Sequence, residues 1–429
     1  MRLELHKLPV ENLCWGERTH MKDRTLVINR EEALNVVKDD PRFVSVSLEL
    51  ARPGESVRII PVKDAVEPRC KIEGPGEIFP GVIGHNTQTV GEGKTLVLEG
   101  AAVLTCGSIV AFQEGFVDMS GPGAAYTPFS ETQNVVLLAE PREGLDQHDY
   151  EAALREAGLK LAFHLAQECK DTPAEKIEVF DLPSVEQVRK EHPELPGIVY
   201  IFMCISQGLL HDTYLYGVDV KQTLPALVHP NEIMDGALIS GNCVSACDKN
   251  TTWHHVNNPV VAELYRRHGV DLNFLGVIVT PESTTLTGKE RATWYNAKLA
   301  AQLGAQGAVV SEEGYGNPDT DLCMNAKKLE DLGIPTVVIS DEAAGTDGKS
   351  QGLADATPEM TAFISTGNVN EMIEVPPMER ILGHPEAIAH LSGGADESLR
   401  EDGSMYVELQ SVIGSTNELG FSRIGCRWI

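Results

Sequence analysis

Apolar positions along this chain follow two different patterns, one in each half. In the first half they come in short runs broken by Gly and Pro. Residues 25–29 (TLVIN) and 44–50 (VSVSLEL) read as strands on either side of a helix over 30–40 (REEALNVVKDD). Further strands are predicted in VRIIPV (57–62), TLVLEGAAVLTC (95–106), SIVAFQEGFVDM (108–119) and NVVLLAEP (134–141), with GPGAAYTPFS (121–130) as a loop. A helix over His148–Glu168 follows, because Leu154, Leu161 and Leu165 share one face. The second half alternates regularly. IVYIFMCIS (198–206) and NFLGVIVTPE (273–282) are nearly all apolar, as strands covered on both faces must be. A helix over Lys289–Leu303, GAVVSEEG (307–314), a helix over Asp319–Leu332, IPTVVISDE (334–342) and MTAFISTGN (360–368) continue a βαβ series.

The pattern predicts an α/β protein. An N-terminal mixed α+β domain (1–180) precedes an open α/β sheet domain (190–429). Such sheets bind ligands at the carboxyl ends of their strands. Here those ends carry the polar loops ISQG, TPEST, SEEGYGN, SDEAAG and STGN. Glu312 and Glu313, in the third of these loops, can bind a substrate ammonium or serve only the fold.

Composition narrows the function classes. The chain has 429 residues, 42% hydrophobic, with a net charge of −28. That acidity argues against nucleic acid or an anionic membrane as partner. No apolar run reaches membrane-spanning length, and Met1 leads straight into a charged strand. The nine cysteines (14, 70, 106, 169, 204, 243, 247, 323, 426) form no disulfide framework. The expected compartment is a reducing cytoplasm, where the sequon Asn250-Thr251-Thr252 has no meaning. GEGKT at 91–95 imitates a phosphate loop, but Gln88 stands where that motif needs glycine. The chain contains no G-x-G-x-x-G.

Candidate chemistry concentrates in GALISGNCVSACDKNTTWHHVNNPV (236–260). Gly241 and Asn242 accept turn-like backbone angles just before Cys243, and a polar segment with few hydrophobic anchors follows. The Cys243 thiol can attack the Asn242 carbonyl and shift the acyl group from nitrogen to sulfur. Removal of the Cys243 α-proton then expels a thiocarboxylate and leaves dehydroalanine, whose hydrolysis yields a pyruvoyl group. Other readings stand beside this one. Cys243 is equally readable as a small buried hydrophobe. Cys243 and Cys247 with His254 and His255 superficially suggest zinc, although C-x3-C with adjacent histidines is not a usual spacing. No metal site is therefore expected. Asp248 and Lys249 can supply a base or anchor a substrate carboxylate, or form a surface ion pair. His254 and His255 can move protons or lie solvated in a loop. Cys106, in LTCG, is either a functional thiol or a small strand-end residue.

The segment resembles the processing site of the precursor of component B of glycine, sarcosine and betaine reductases. MRLELHKLPVENLCWGERT, ELARPGESVRIIPVKDAVEPRCKIEGPGEIFPG, LTCGSIVAFQEGFVDMSGPGAAYTPFS and GLDQHDYEAALREAGLKLA resemble the same family in order and spacing. His6 departs from it, standing where glycine is expected. The resemblance implies cleavage at Asn242-Cys243 into chains 1–242 and 243–429, with Cys243 becoming a self-derived pyruvoyl cofactor. It further implies a Schiff base with the substrate amine and displacement of nitrogen by a selenolate. That selenolate belongs to a selenocysteine-containing subunit of component B. A small selenoprotein, component A, and a third component then lead to acetyl phosphate. Two rivals are a D-proline reductase proprotein, which the motifs resemble less, and an unprocessed α/β protein that binds a small ligand.

Overall fold

A computed structural model describes residues 1–85, 88–108, 114–207, 213–241 and 246–421. Asn242 and Cys243 lie outside the described residues. In chain order, the strands of the two larger sheets of the first half include β1 (Arg2–Pro9), β2 (Phe43–Ala51), β3 (Val57–Val66), β4 (Arg69–Lys71), β5 (Gly93–Glu99), β6 (Ala101–Cys106), β7 (Gly115–Asp118) and β8 (Gln133–Pro141). Helix α1 (Gln147–Glu168) and β9 (Lys176–Asp181) follow. The second half is built from β10 (Gly197–Cys204), β11 (Ala226–Val228), α2 (Thr252–Val256), α3 (Pro259–Arg267), β12 (Asn273–Pro281), α4 (Leu286–Gln302), β13 (Gly307–Ser311), α5 (Asn317–Asp331), β14 (Thr336–Glu342), β15 (Phe363–Asn368) and β16 (Arg380–Gly383).

The protein is mixed α/β with several sheets. One has the order β9-β1-β5-β4, and a second runs β7-β3-β6-β8-β2 with β16 pairing on β3. Of the expected strand over 108–119, the described residues form a strand at Gly115–Asp118. The loop expected at 121–130 contains two short 3-10 turns. Helix α1 begins where the Asp146 side chain accepts the His148 N–H. It buries Leu161 and Leu165 in the main N-terminal core. It is more enclosed than an amphipathic surface helix, since Glu151 and Arg155 are buried as well, 3.0 Å apart, with the guanidinium over the Tyr214 ring.

The third sheet has the order β11-β12-β10-β13-β14-β15, in which only β11 is antiparallel. Its apolar runs are explained by two-sided burial. Val199, Ile201 and Met203 of β10 pack against α4 and α5, while Tyr200, Phe202 and Cys204 pack toward α3. Among the five parallel strands, the first in sequence (β10) has the second (β12) on one side and the third (β13) on the other. The winding direction therefore reverses between β10 and β13. Such a reversal splays the two connections apart and opens a crevice at the strands' carboxyl ends.

Candidate active site

The chain that resumes at Ala246 runs into that crevice. Glu313, just past β13, accepts the Ile205 N–H beyond β10 at 3.1 Å. Its other oxygen accepts the Asn250 N–H at 3.0 Å. One carboxylate thus ties both strand ends at the reversal to the segment downstream of Cys243. Loop 412–418 holds the same segment from a third direction. Gly414 and Thr416 donate backbone N–H groups to the carbonyls of Ala246 (2.7 Å) and Cys247 (3.2 Å). The Asn417 amide donates to the Lys249 carbonyl at 3.2 Å. From the first half, Asp64 on β3 accepts the Thr252 N–H (2.9 Å) and hydroxyl (2.8 Å).

This corrects the expectation of a loosely anchored polar stretch. Asp248, Lys249, His254 and His255 are all 0% exposed, so neither a surface ion pair nor solvated histidines exist here. Hydrogen bonds anchor the polar residues of the segment, while Ala246 and Val256 join apolar clusters at its two ends. Residues 251–256 also form a helical turn, with the Thr251 hydroxyl capping the His254 N–H. Both carboxylate oxygens of Asp248 lack a hydrogen-bond partner. Burial raises Asp64 and Glu151 above the usual carboxylate range, and the charge of Lys249 offsets part of that rise. The His254 ring lies edge-on to Phe129 and Trp253, and its Nδ1 accepts the Thr251 N–H at 3.1 Å.

Among the described residues, Cys247 groups with Asp248 and Asp341 rather than with His254 and His255. Cys106 sits elsewhere, in the N-terminal sheet, its thiol 3.8 Å from the Leu382 carbonyl. Burial pushes that thiol up to about 12, far from a reactive thiolate. Glu312 and Glu313 are buried, and Glu312 accepts the Ser340 hydroxyl at 2.5 Å. Sequence reasoning missed Glu282, Asp341 and Glu418. Glu282 accepts the Glu313 N–H, Asp341 the Thr416 hydroxyl and Glu418 the Gly314 N–H. For the first two a signal was present, since each follows directly on an apolar strand (VTPE, VISDE) at the end where ligands gather.

Burial and mutual repulsion raise Asp248, Glu282, Glu312 and Glu418 well above the carboxylate range. Burial pushes Asp341 and Glu151 up to about 7 and His255 down to about 3. The folded acids keep protons that the unfolded chain releases near pH 4. Their stabilisation is complete below that pH and disappears as pH rises through 7. The histidine contribution has the opposite sense, present above about 6.5 and lost as pH falls toward 3. Above about pH 7 the histidine contribution is nearly complete, so the acid contribution dominates the change between about pH 7 and 8. Unfolding free energy measured with urea in EDTA-containing buffer should fall there by on the order of 1–3 kcal/mol per pH unit. A flat profile would contradict the burial of these acids.

Comparison with known proteins decides the family. The family model described as glycine/sarcosine/betaine reductase component B subunits matches residues 1–427. The chain belongs to this family. It is 50% identical over 426 residues to "Glycine reductase complex component B subunits alpha and beta" of Acetoanaerobium sticklandii, covering 99% of each chain. It is likewise 50% identical over 429 residues to "Sarcosine reductase complex component B subunit alpha" of Peptoclostridium acidaminophilum, covering 100% of each. The "Betaine reductase complex component B subunit alpha" of the same organism is 40% identical over 98% of each chain. No solved structure matches. The relatives are subunits of oxidoreductase complexes. Among the described residues, no helix is long and apolar enough to cross a membrane.

Proposed function

We propose that this chain is the proprotein of the substrate-activating part of component B of a cytoplasmic glycine or sarcosine reductase. It is cut at Asn242-Cys243, and Cys243 becomes a pyruvoyl group. The observation that carries this reading is identity of about half of all residues along the whole length of component B relatives. One of these bears the names of two subunits, alpha and beta, on a single chain of matching length. Lower identity to the betaine relative favours glycine or sarcosine.

The described surroundings fit a carbonyl that must be kept from bulk water. Gly241 and Ala246, on either side of the outlying residues, are both buried. The pyruvoyl carbonyl, once formed, supplies an electron sink that takes up the substrate amine as a Schiff base and weakens its C–N bond. This chain's own residues then have defined work. Glu313 and Asn417 fix the segment after the cut on the strand ends. Asp248, Lys249 and His254 are buried groups downstream of the cut that can hold or move a proton. Burial drives His254 well below its usual value, so it enters as a neutral base. The nucleophile that displaces nitrogen comes from outside this chain, as a selenolate on a partner subunit. A small selenoprotein and a third component then carry the product on to acetyl phosphate.

Reconstitution tests the assignment. The processed protein alone should turn over no amine. Adding the selenoprotein subunits, the third component and a thiol reductant should yield acetyl phosphate from glycine or sarcosine and little from betaine. Turnover without any selenoprotein, or silence with all three amines when every partner is present, would overturn it.

A further inference from the structure

We propose that Cys247, Asp248 and Asp341 form a binding site for a divalent metal ion of the borderline class, with Zn2+ the best match. The site is independent of the cut, since every donor lies within 243–429, and it goes beyond the family's chemistry. One donor atom from each residue lies within 4.8 Å of the other two. Around Zn2+, with Zn–S near 2.3 Å and Zn–O near 2.1 Å, tetrahedral ligand atoms are about 3.5 Å apart, so small side-chain shifts close the set.

The donors also have unmet valence. Neither oxygen of Asp248 has a hydrogen-bond partner, and Oδ1 of Asp341 has none. All three residues are fully buried. Glu313 and Glu418, both buried, crowd further carboxyl groups around them. Bare carboxylates are strongly disfavoured in such a place. A dication relieves that cost, and the alternative is for the acids to hold protons.

The surroundings resemble the outer support that metal ligands require. Thr416 donates its hydroxyl to Oδ2 of Asp341 at 2.6 Å and its N–H to the Cys247 carbonyl at 3.2 Å. One residue therefore orients two of the three donors. Oδ1 of Asp341 stays free for the ion. A thiol among the donors disfavours Ca2+ and Mg2+, which take oxygen ligands alone. Enclosure argues for a structural ion whose fourth position is filled by water or by the partnerless oxygen of Glu418. The ion would pin residues 247–248, just downstream of the predicted new N-terminus, to the carboxyl end of β14. Zinc binds the thiolate form of cysteine, so uptake must expel the Cys247 proton to the buffer.

The experiment uses the whole purified protein, stripped with a chelator, dialysed and titrated with ZnCl2 by calorimetry in two buffers of different ionisation enthalpy. The expected result is one equivalent of Zn2+ per chain, release of at least one proton, and a Tm raised by several degrees that Mg2+ does not reproduce. Cys247→Ser and Asp341→Asn should each weaken binding, and Thr416→Val should weaken it by about tenfold or more. Failure of folded wild-type protein to take up stoichiometric Zn2+ overturns the proposal. So does undiminished uptake by Cys247→Ser and Asp341→Asn variants with native circular dichroism. The decisive arm is read on the wild-type chain, so a variant that fails to fold does not leave the question open. Intact mass reports the cut separately, so failure of one proposal is distinguishable from failure of the other.

Discussion

Cys243→Ala should leave one intact chain of 429 residues, where the native protein yields two products, 1–242 and 243–429. The effect is all or none, because without a thiol on Cβ no acyl shift can begin. Cys243→Ser should cleave orders of magnitude more slowly, since a hydroxyl is a far weaker nucleophile than a thiolate at neutral pH. The measurement is intact mass under denaturing conditions. The native downstream product should lack its thiol, resist Edman degradation and react with phenylhydrazine. Borohydride in the presence of glycine should trap a covalent adduct on it. A free N-terminal cysteine on that product would mean ordinary proteolysis. Efficient cleavage of the alanine variant would remove Cys243 from the mechanism altogether.

Whether an element could be read from the sequence depended on the range of the forces that define it. The parallel strands β10, β12 and β14 stand within two residues of the apolar runs that predicted them, and β13 begins where its run does, because burial on both faces writes itself into consecutive residues. Helix α4 begins at Leu286, three residues before the expected Lys289, because the Thr285 hydroxyl caps the Gly288 N–H. The apolar period carries no trace of that cap. The segment 246–258 misled for a deeper reason. Its polarity suggested solvent, but its partners are remote in sequence. Thr252 bonds Asp64 across 188 positions and Asn250 bonds Glu313 across 63. A local period cannot encode such pairings, and a buried polar network has the composition of a loop. The same limit hid Glu418, which follows no strand and reaches Gly314 across 104 positions. The return of β16 to pair with β3 was equally hidden, because a four-residue strand carries too little alternation to announce itself.

After cleavage the two products should remain one particle, separable only by denaturant. A cut at Asn242-Cys243 assigns β10 and β11 to the upstream product and β12, β13, β14 and β15 to the downstream one. Strand β10 lies between β12 and β13, hydrogen bonded to both over most of its length. Val199, Tyr200, Ile201, Phe202 and Met203 on it are all 0% exposed. At about 2 kcal/mol for each buried apolar side chain, withdrawing this strand would cost on the order of 10 kcal/mol before the broken ladders are counted. That is comparable to the whole stability of a domain. Leaving the sheet and unfolding the sheet are therefore the same event. Gel filtration in dilute buffer should give a single peak containing both products at equal stoichiometry, even at nanomolar concentration. Urea should release them only across the main unfolding transition. Tyr200→Ala should cost about 3–5 kcal/mol, as large-to-small core changes do, and lower that midpoint without producing a separate dissociation step. Dissociation of the products well below the unfolding midpoint would place the cut outside this sheet.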